Sequence, residues 1–199
     1  MYSRIDTSWV LIGIAALVVL AGLVQLYRWY RRRRERAALL AAVTGRGFEH
    51  LHNVLVPDGQ GGNLHIDFLL LTARGVVVID LRDVAGNIFG GDQMTAWTVM
   101  HHARRFTFAN PQTALYDRIA AVRALAAEIP VEGRILFTRR GRFPKGLPKY
   151  TLLLESLAAE YPSADRQAMS ALLDRWLPVW QRLCAATSPS RLDRPRPAV

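Results

Sequence analysis

The sequence predicts an α/β fold: a mixed β-sheet flanked by helices and preceded by one N-terminal transmembrane helix. Three observations carry that reading. Trp9 to Val24 is uninterrupted apolar sequence. Two short apolar strands meet at Arg74-Gly75. A helical pattern then separates the second of them from another β-branched, apolar run at Arg134–Thr138, which implies a parallel pairing through a crossover helix.

The elements follow in order. The run from Trp9 extends through Gln25 and Leu26 to the roughly 20 residues that a bilayer-spanning helix requires. Trp9 on one side and Tyr27, Trp29 and Tyr30 on the other frame it as interfacial aromatics do. Arg28, Arg31, Arg32, Arg33, Arg34 and Arg36 follow at once, which by the positive-inside rule sets the C-terminal body in the cytoplasm. A cleaved signal peptide would carry its positive charge ahead of the apolar run and small residues after it, and neither is present. The expected layout is a short extracytoplasmic N-terminus at 1–8, a transmembrane helix at 9–30, an arginine-rich juxtamembrane segment at 31–36, a folded domain at 37–187 and a disordered tail at 188–199. The location this implies is the inner membrane, single-pass, with Arg31, Arg32, Arg33 and Arg34 against anionic lipid.

In the body, Glu35–Val43 reads as helix and Gly45-Arg46-Gly47 breaks it. Phe48–Val56 alternates as a strand does, and Pro57–Gly62 is turn chemistry leading into a strand at Leu64–Thr72. From Gly75 to Leu81 the sequence is continuously apolar and β-branched, the mark of a strand covered on both faces. Gly86 permits a turn, and Asn87–Gly91 with Thr95–Met100 reads as a hairpin. Asn110-Pro111 opens a helix whose apolar positions Leu115, Ile119, Val122, Ala126 and Ile129 recur at helical spacing until Pro130. Arg139–Lys149 is a basic loop, read equally well as phosphate-binding or plainly solvated. Ser163 is a candidate cap for a last helix with an apolar face of Met169, Leu172, Leu173, Trp176, Trp180 and Leu183, kinked at Pro178.

Two carboxylates stand out. Asp80 lies in the doubly covered strand, where an uncompensated charge is expensive, and Asp67 lies in the strand before it. Side chains alternate along a strand, so Asp80 and Arg82 share one face. A metal held by Asp67 and Asp80, or a direct Asp80–Arg82 ion pair, would each compensate the charge. His50 and His52 share a strand face but lack a third ligand at suitable spacing, His65 is a lining residue beside Asp67, and His101 with His102 suggests no site.

Composition narrows the function classes. The 199 residues, 51% hydrophobic, suffice for one real core and an appendage. One cysteine, Cys184, excludes an intrachain disulfide framework and a thiolate metal cluster. Of the net charge of +10, Arg28–Arg36 with Glu35 carries half and the tail from Arg191 onward a further +2, so the folded body is only mildly basic.

Arg34-Glu35, the stretch HNVLVPDGQGGNLHIDFLLLTARGVVVIDLRDVAGNIFG, the Trp97 strand and FANPQ together resemble the nuclease-related domain (NERD), a branch of the restriction-endonuclease-like PD-(D/E)xK superfamily. The resemblance runs from Glu35 to Phe143. It implies a restriction-endonuclease-like sheet and, where the site is intact, Mg²⁺-dependent hydrolysis of DNA. In such a site two acids hold Mg²⁺, which stabilises charge on the phosphate, and a lysine orients the attacking water. Asp67 resembles the first acid, Asp80 stands where the family has Glu, and Arg82 stands where it has Lys. Glu35 resembles the family's helical Glu, with Arg34 in place of the usual preceding Gly. Asp80 is one methylene short for the tight Mg²⁺ geometry, and Arg82 does not deprotonate and so cannot serve as a general base. The resemblance thus leaves two functions: a membrane-anchored Mg²⁺-dependent DNA nuclease, or a catalytically inactive module of the same fold that binds DNA or a protein partner. Shortening the acid while lengthening the cation favours the ion pair.

Overall fold

The computed structural model describes residues 7–163 and 165–190, with side chains described at 11 and from 14 onward. The expected N-terminal segment ahead of Thr7 and the tail beyond Ser190 lie outside the described residues. The chain divides into two compact units, Met1–Ala42 and Val43–Val199.

The first unit is most of a single helix, α1 (Thr7–Thr44), which continues without a break through the arginine-rich segment. Arg33 lies over the Trp29 ring and Arg34 over Tyr30, so part of the arginine charge rests on the aromatics beside it. The expected transmembrane helix falls within α1, but among the described residues no helix is long and apolar enough to cross a membrane. The described apolar stretch from Ile14 to Val24 gives way to Gln25 and then Arg28, and the beginning of the expected span precedes the residues whose side chains are described. α1 ends at Thr44, where Gly45-Arg46-Gly47 stands.

The second unit holds two sheets. Strands β1 (Glu49–Pro57), β2 (Asn63–Thr72) and β3 (Gly75–Arg82) form an antiparallel meander. β4 (Gly86–Phe89), β5 (Ala96–His101) and β6 (Arg104–Ala109) form a second one. Helix α2 (Pro111–Leu125) then crosses to β7 (Val131–Phe137), which pairs parallel with β3, as the strand–helix–strand pattern requires. Two-residue β8 (Gly141–Arg142), β9 (Thr151–Leu153), α3 (Leu157–Glu160), α4 (Ser170–Ala186) and β10 (Ser188–Pro189) complete the chain. The larger sheet has the order β10-β1-β2-β3-β7-β9, the smaller β6-β5-β4-β8.

β3 is central and buried from Gly75 to Asp80. Val76 and Val78 pack into a core that includes Leu115, Ile119 and Val122 of α2, whereas Val77 and Ile79 pack into a second core with Val43, Leu136 and Tyr161. A side-chain period of two between two apolar layers is the reason the run carries no polar alternation.

Several expectations are corrected. The basic loop contains β8, and β6 was not foreseen. Ser163 does not cap the last helix: its hydroxyl bonds Gly45 O and accepts from Arg46, and α4 begins at Ser170. The segment from Ser188 is not wholly disordered, because β10 pairs with Val54 and Leu55 of β1 and Ser190 N donates to Asn53 O.

Gly75 begins β3 with φ of 120°, and a Cβ there would lie 2.2 Å from Pro130 O, the acceptor of Val76 N. Gly75→Ala is therefore expected to destabilise the domain by on the order of 1–3 kcal/mol, read as a lower urea midpoint at unchanged slope.

Candidate functional site

The site grows from the end of β3. Asp80 has the parity of Val76 and Val78, which points it to the face that α2 covers. It is 1% exposed, with its side chain fully buried. Arg82, two residues on and on the same face, donates to Asp80 Oδ2 from Nη2 at 2.6 Å and from Nε at 3.2 Å. A second guanidinium reaches the same oxygen from α2: Arg118 Nη1 lies 3.5 Å from Asp80 Oδ2. Arg118 is itself 8% exposed and donates from Nε to His65 O of β2 at 2.6 Å.

Asp67 belongs to the same cluster in a different role. The β2–β3 register has Phe68 opposite Ile79, and one further step would set Asp67 opposite Asp80. Paired bridging stops there, and Asp67 Oδ2 instead accepts Leu81 N–H at 2.8 Å, closing the gap between the strands. Its other oxygen lies 3.8 Å from His65 Nδ1. His65 Nε2 is 2.6 Å from Asn53 Oδ1, and Asn53 sits at φ of 54°, a conformation asparagine tolerates better than most residues. Asp67, Asp80 and Arg82 are thus brought together with His65, Asn53 and Arg118. Glu35 belongs to the first unit, where it is exposed and pairs with Arg31 at 3.0 Å.

Arg118 escaped the sequence reading, although a signal was present. It falls between Leu115 and Ile119 on the apolar stripe of α2, a cation where the helical period asks for a core residue. A buried arginine in such a stripe implies a buried acid facing it. The start of α2 was legible: Asn110 accepts Gln112 N–H at 3.0 Å and Pro111 takes the first helical position.

The donor set does not suit Mg²⁺. Asp80 Oδ2 is taken by Arg82 and faced by Arg118, Asp67 Oδ2 is taken by a backbone N–H, and among the described residues no group of three or more His, Cys, Asp or Glu could hold a metal ion. A dication would have to displace two guanidiniums and a peptide donor. His50 and His52 likewise form no metal group, and burial lowers the pKa of His52, with the charge of His50 adding to the effect.

A groove of about 380 Å³ opens elsewhere, lined by Arg134, Lys149, Tyr150, Thr151, Leu152 and Glu160 and by none of the acid-pair residues. Arg134 there is bound to Glu132 and Glu160, and its hydrogen bond holds the Glu160 carboxyl below its ordinary pKa.

The geometry predicts a non-additive response. Arg82→Ala or Arg118→Ala alone leaves Asp80 one cation and should lower stability by about 1–3 kcal/mol. The double variant strands a buried carboxylate and should lose more than the sum of the two, as measured by chemical denaturation.

The nuclease-related domain model matches residues 29–138, more than half of the chain. An uncharacterized protein of Bacillus anthracis is 28% identical over 116 residues, which cover 56% of this chain and 55% of that protein. The chain therefore spans about half the length of the curated relative it matches. No solved structure matches.

Proposed function

The chain belongs to the nuclease-related domain family, and from that premise we propose that it is a membrane-anchored, noncatalytic member whose nuclease-like acid pair has become structural and which acts by binding. The observation that carries this reading is the 2.6 Å contact between Arg82 and Asp80, reinforced by Arg118 on the same oxygen. The arginine stands where the resemblance expects a lysine and bonds directly to the acid that a metal would need. A guanidinium stays protonated at every accessible pH, so it neither releases the acid nor takes a proton from water.

Anchoring rests on the first unit. Leu17, Val18, Val19 and Leu20 are consecutive in α1 and each is more than half exposed, so apolar side chains face every direction around the helix. A helix apolar all round needs an apolar surrounding, and the arginines that follow suit the anionic cytoplasmic leaflet. A reporter fused at Ser188 should behave as cytoplasmic in a membrane fraction; alkaline phosphatase activity there would reverse the topology.

The deciding experiment for the site pairs Mg²⁺ titration by calorimetry with incubation of plasmid and linear DNA in Mg²⁺, in Mn²⁺ and in EDTA. The expected result is no binding heat and no cleavage. Metal-dependent cleavage that disappears in Asp80→Asn would establish the alternative, an active nuclease using Asp67 and Asp80 as ligands.

A further inference from the structure

The smaller sheet has two unlike faces. One carries Ile88, Trp97 and Val99, with Phe106 and Phe108 packed against the same core. Gly90 lets Trp97 lie against the chain, since a Cβ there would meet the indole at 2.5 Å. The opposite face is built by the intervening residues of each strand. The register places Arg142, Asn87, Met100 and Arg105 in one row across β8, β4, β5 and β6, and all four are exposed. A second row holds Phe89, Thr98 and Thr107. Lys145 lies over the Phe89 ring at 5.9 Å.

The charge on this face is of one sign. No acid occurs in β4, β5, β6 or β8. The acid of the β4–β5 connection, Asp92, is committed to Gln112 Nε2 and Lys149 N. Arg105 and Arg142 on this face, with Arg139 and Lys145 in the loop beside it, form no ion pair among the described residues, unlike Arg140, which pairs with Asp83. Adjacent strands lie about 4.8 Å apart, so Arg105 and Arg142 stand roughly 14 Å from each other across the row. Between them in the row stand Asn87 and Met100, and the neighbouring row adds Thr98, Thr107 and the partly exposed Phe89.

We infer that this face of the β6-β5-β4-β8 sheet is a binding surface for single-stranded nucleic acid. The unpaired cations take the phosphates, the Thr and Asn side chains bond phosphate and sugar oxygens, and Phe89 offers a ring for base stacking beneath Lys145. An open sheet face with cations at its two ends suits a single strand, whose bases can lie against it; reading a duplex groove requires a projecting helix or ribbon. A lipid surface would call for a contiguous apolar centre, whereas these rows interleave Met100 and Phe89 with Asn87, Thr98 and Thr107. The inference rests on the reading of the domain as one that binds, and it uses none of the acid-pair residues.

The test is fluorescence anisotropy of a labelled single-stranded oligonucleotide, with the full-length protein in uncharged detergent and EDTA present. The wild type should bind with a strong salt dependence. Arg105→Glu with Arg142→Glu should weaken binding at least about tenfold and reduce the log–log salt slope by about 1.5, two phosphate contacts at roughly 0.7 each. Arg32→Glu with Arg33→Glu, on α1, should weaken it less. The milder pair Arg105→Gln with Arg142→Gln should move affinity in the same direction as the reversal, at an unchanged melting temperature. Wild-type affinity in both sheet variants overturns the inference. So does loss of binding to phosphatidylglycerol vesicles with oligonucleotide affinity intact, which would make the partner a membrane. Failure of the noncatalytic reading appears separately, as cleavage in Mg²⁺.

Discussion

A buried carboxylate with two guanidiniums on one oxygen is the constraint around which this domain is arranged. Asp80 sits in a strand covered on both faces, where an unpaired charge would be prohibitive. Arg82 reaches it from the same strand and Arg118 from the helix above. Arg118 also bonds the His65 carbonyl of β2, so one acid ties together two strands of the meander and the crossover helix. Asp67 adds the complementary link by accepting Leu81 N–H where β2 and β3 cease to pair. The crossover is held by apolar packing of Leu115, Ile119 and Val122, with Arg118 among them reaching Asp80 and the His65 carbonyl.

The parts of this arrangement that are local in sequence were legible. The β-branched run of β3 declared burial on both sides, and the two-residue spacing of Asp80 and Arg82 declared a shared face. Asn110-Pro111 declared a helix start. What was not legible depends on contacts between distant segments. β6 opens with two arginines, so its strand character becomes visible only once Phe106 and Phe108 have a core to face. β10 is two residues, one a proline, and exists as a strand because β1 offers an edge to pair with. Ser163 has the right chemistry for a cap but is held by Arg46 and Gly45, and the helix begins farther on. Arg118 lies between these cases: its anomaly was on the page, but its partner is Asp80, far away in the chain.

The pairing of Asp80 with arginine has a physical logic within a nuclease-related domain. Two acids concentrated in one buried site are unstable without a cation, and a guanidinium of the same chain can supply it. The planar guanidinium of Arg82 brings two donors, Nε and Nη2, to the single oxygen Oδ2 of Asp80. The second acid need not be lost, because a backbone N–H satisfies it. Fold similarity alone therefore does not report activity.

Charge in the body is distributed accordingly. Its acids are largely spent on internal partners: Asp80 on two arginines, Asp83 on Arg140 and Thr138, Asp92 on Gln112 and Lys149, and Glu132 with Glu160 on Arg74 and Arg134. Among the described residues, Arg105 and Arg142 on the outer face of the smaller sheet, with Arg139 and Lys145 in the loop beside it, are left without an ion pair. A domain with only mild net charge thereby presents one strongly positive surface, since the local potential follows the unpaired charges and not the sum. The acid pair is neutralised from inside, while the outer face of the smaller sheet keeps Arg105 and Arg142 without an ion pair among the described residues.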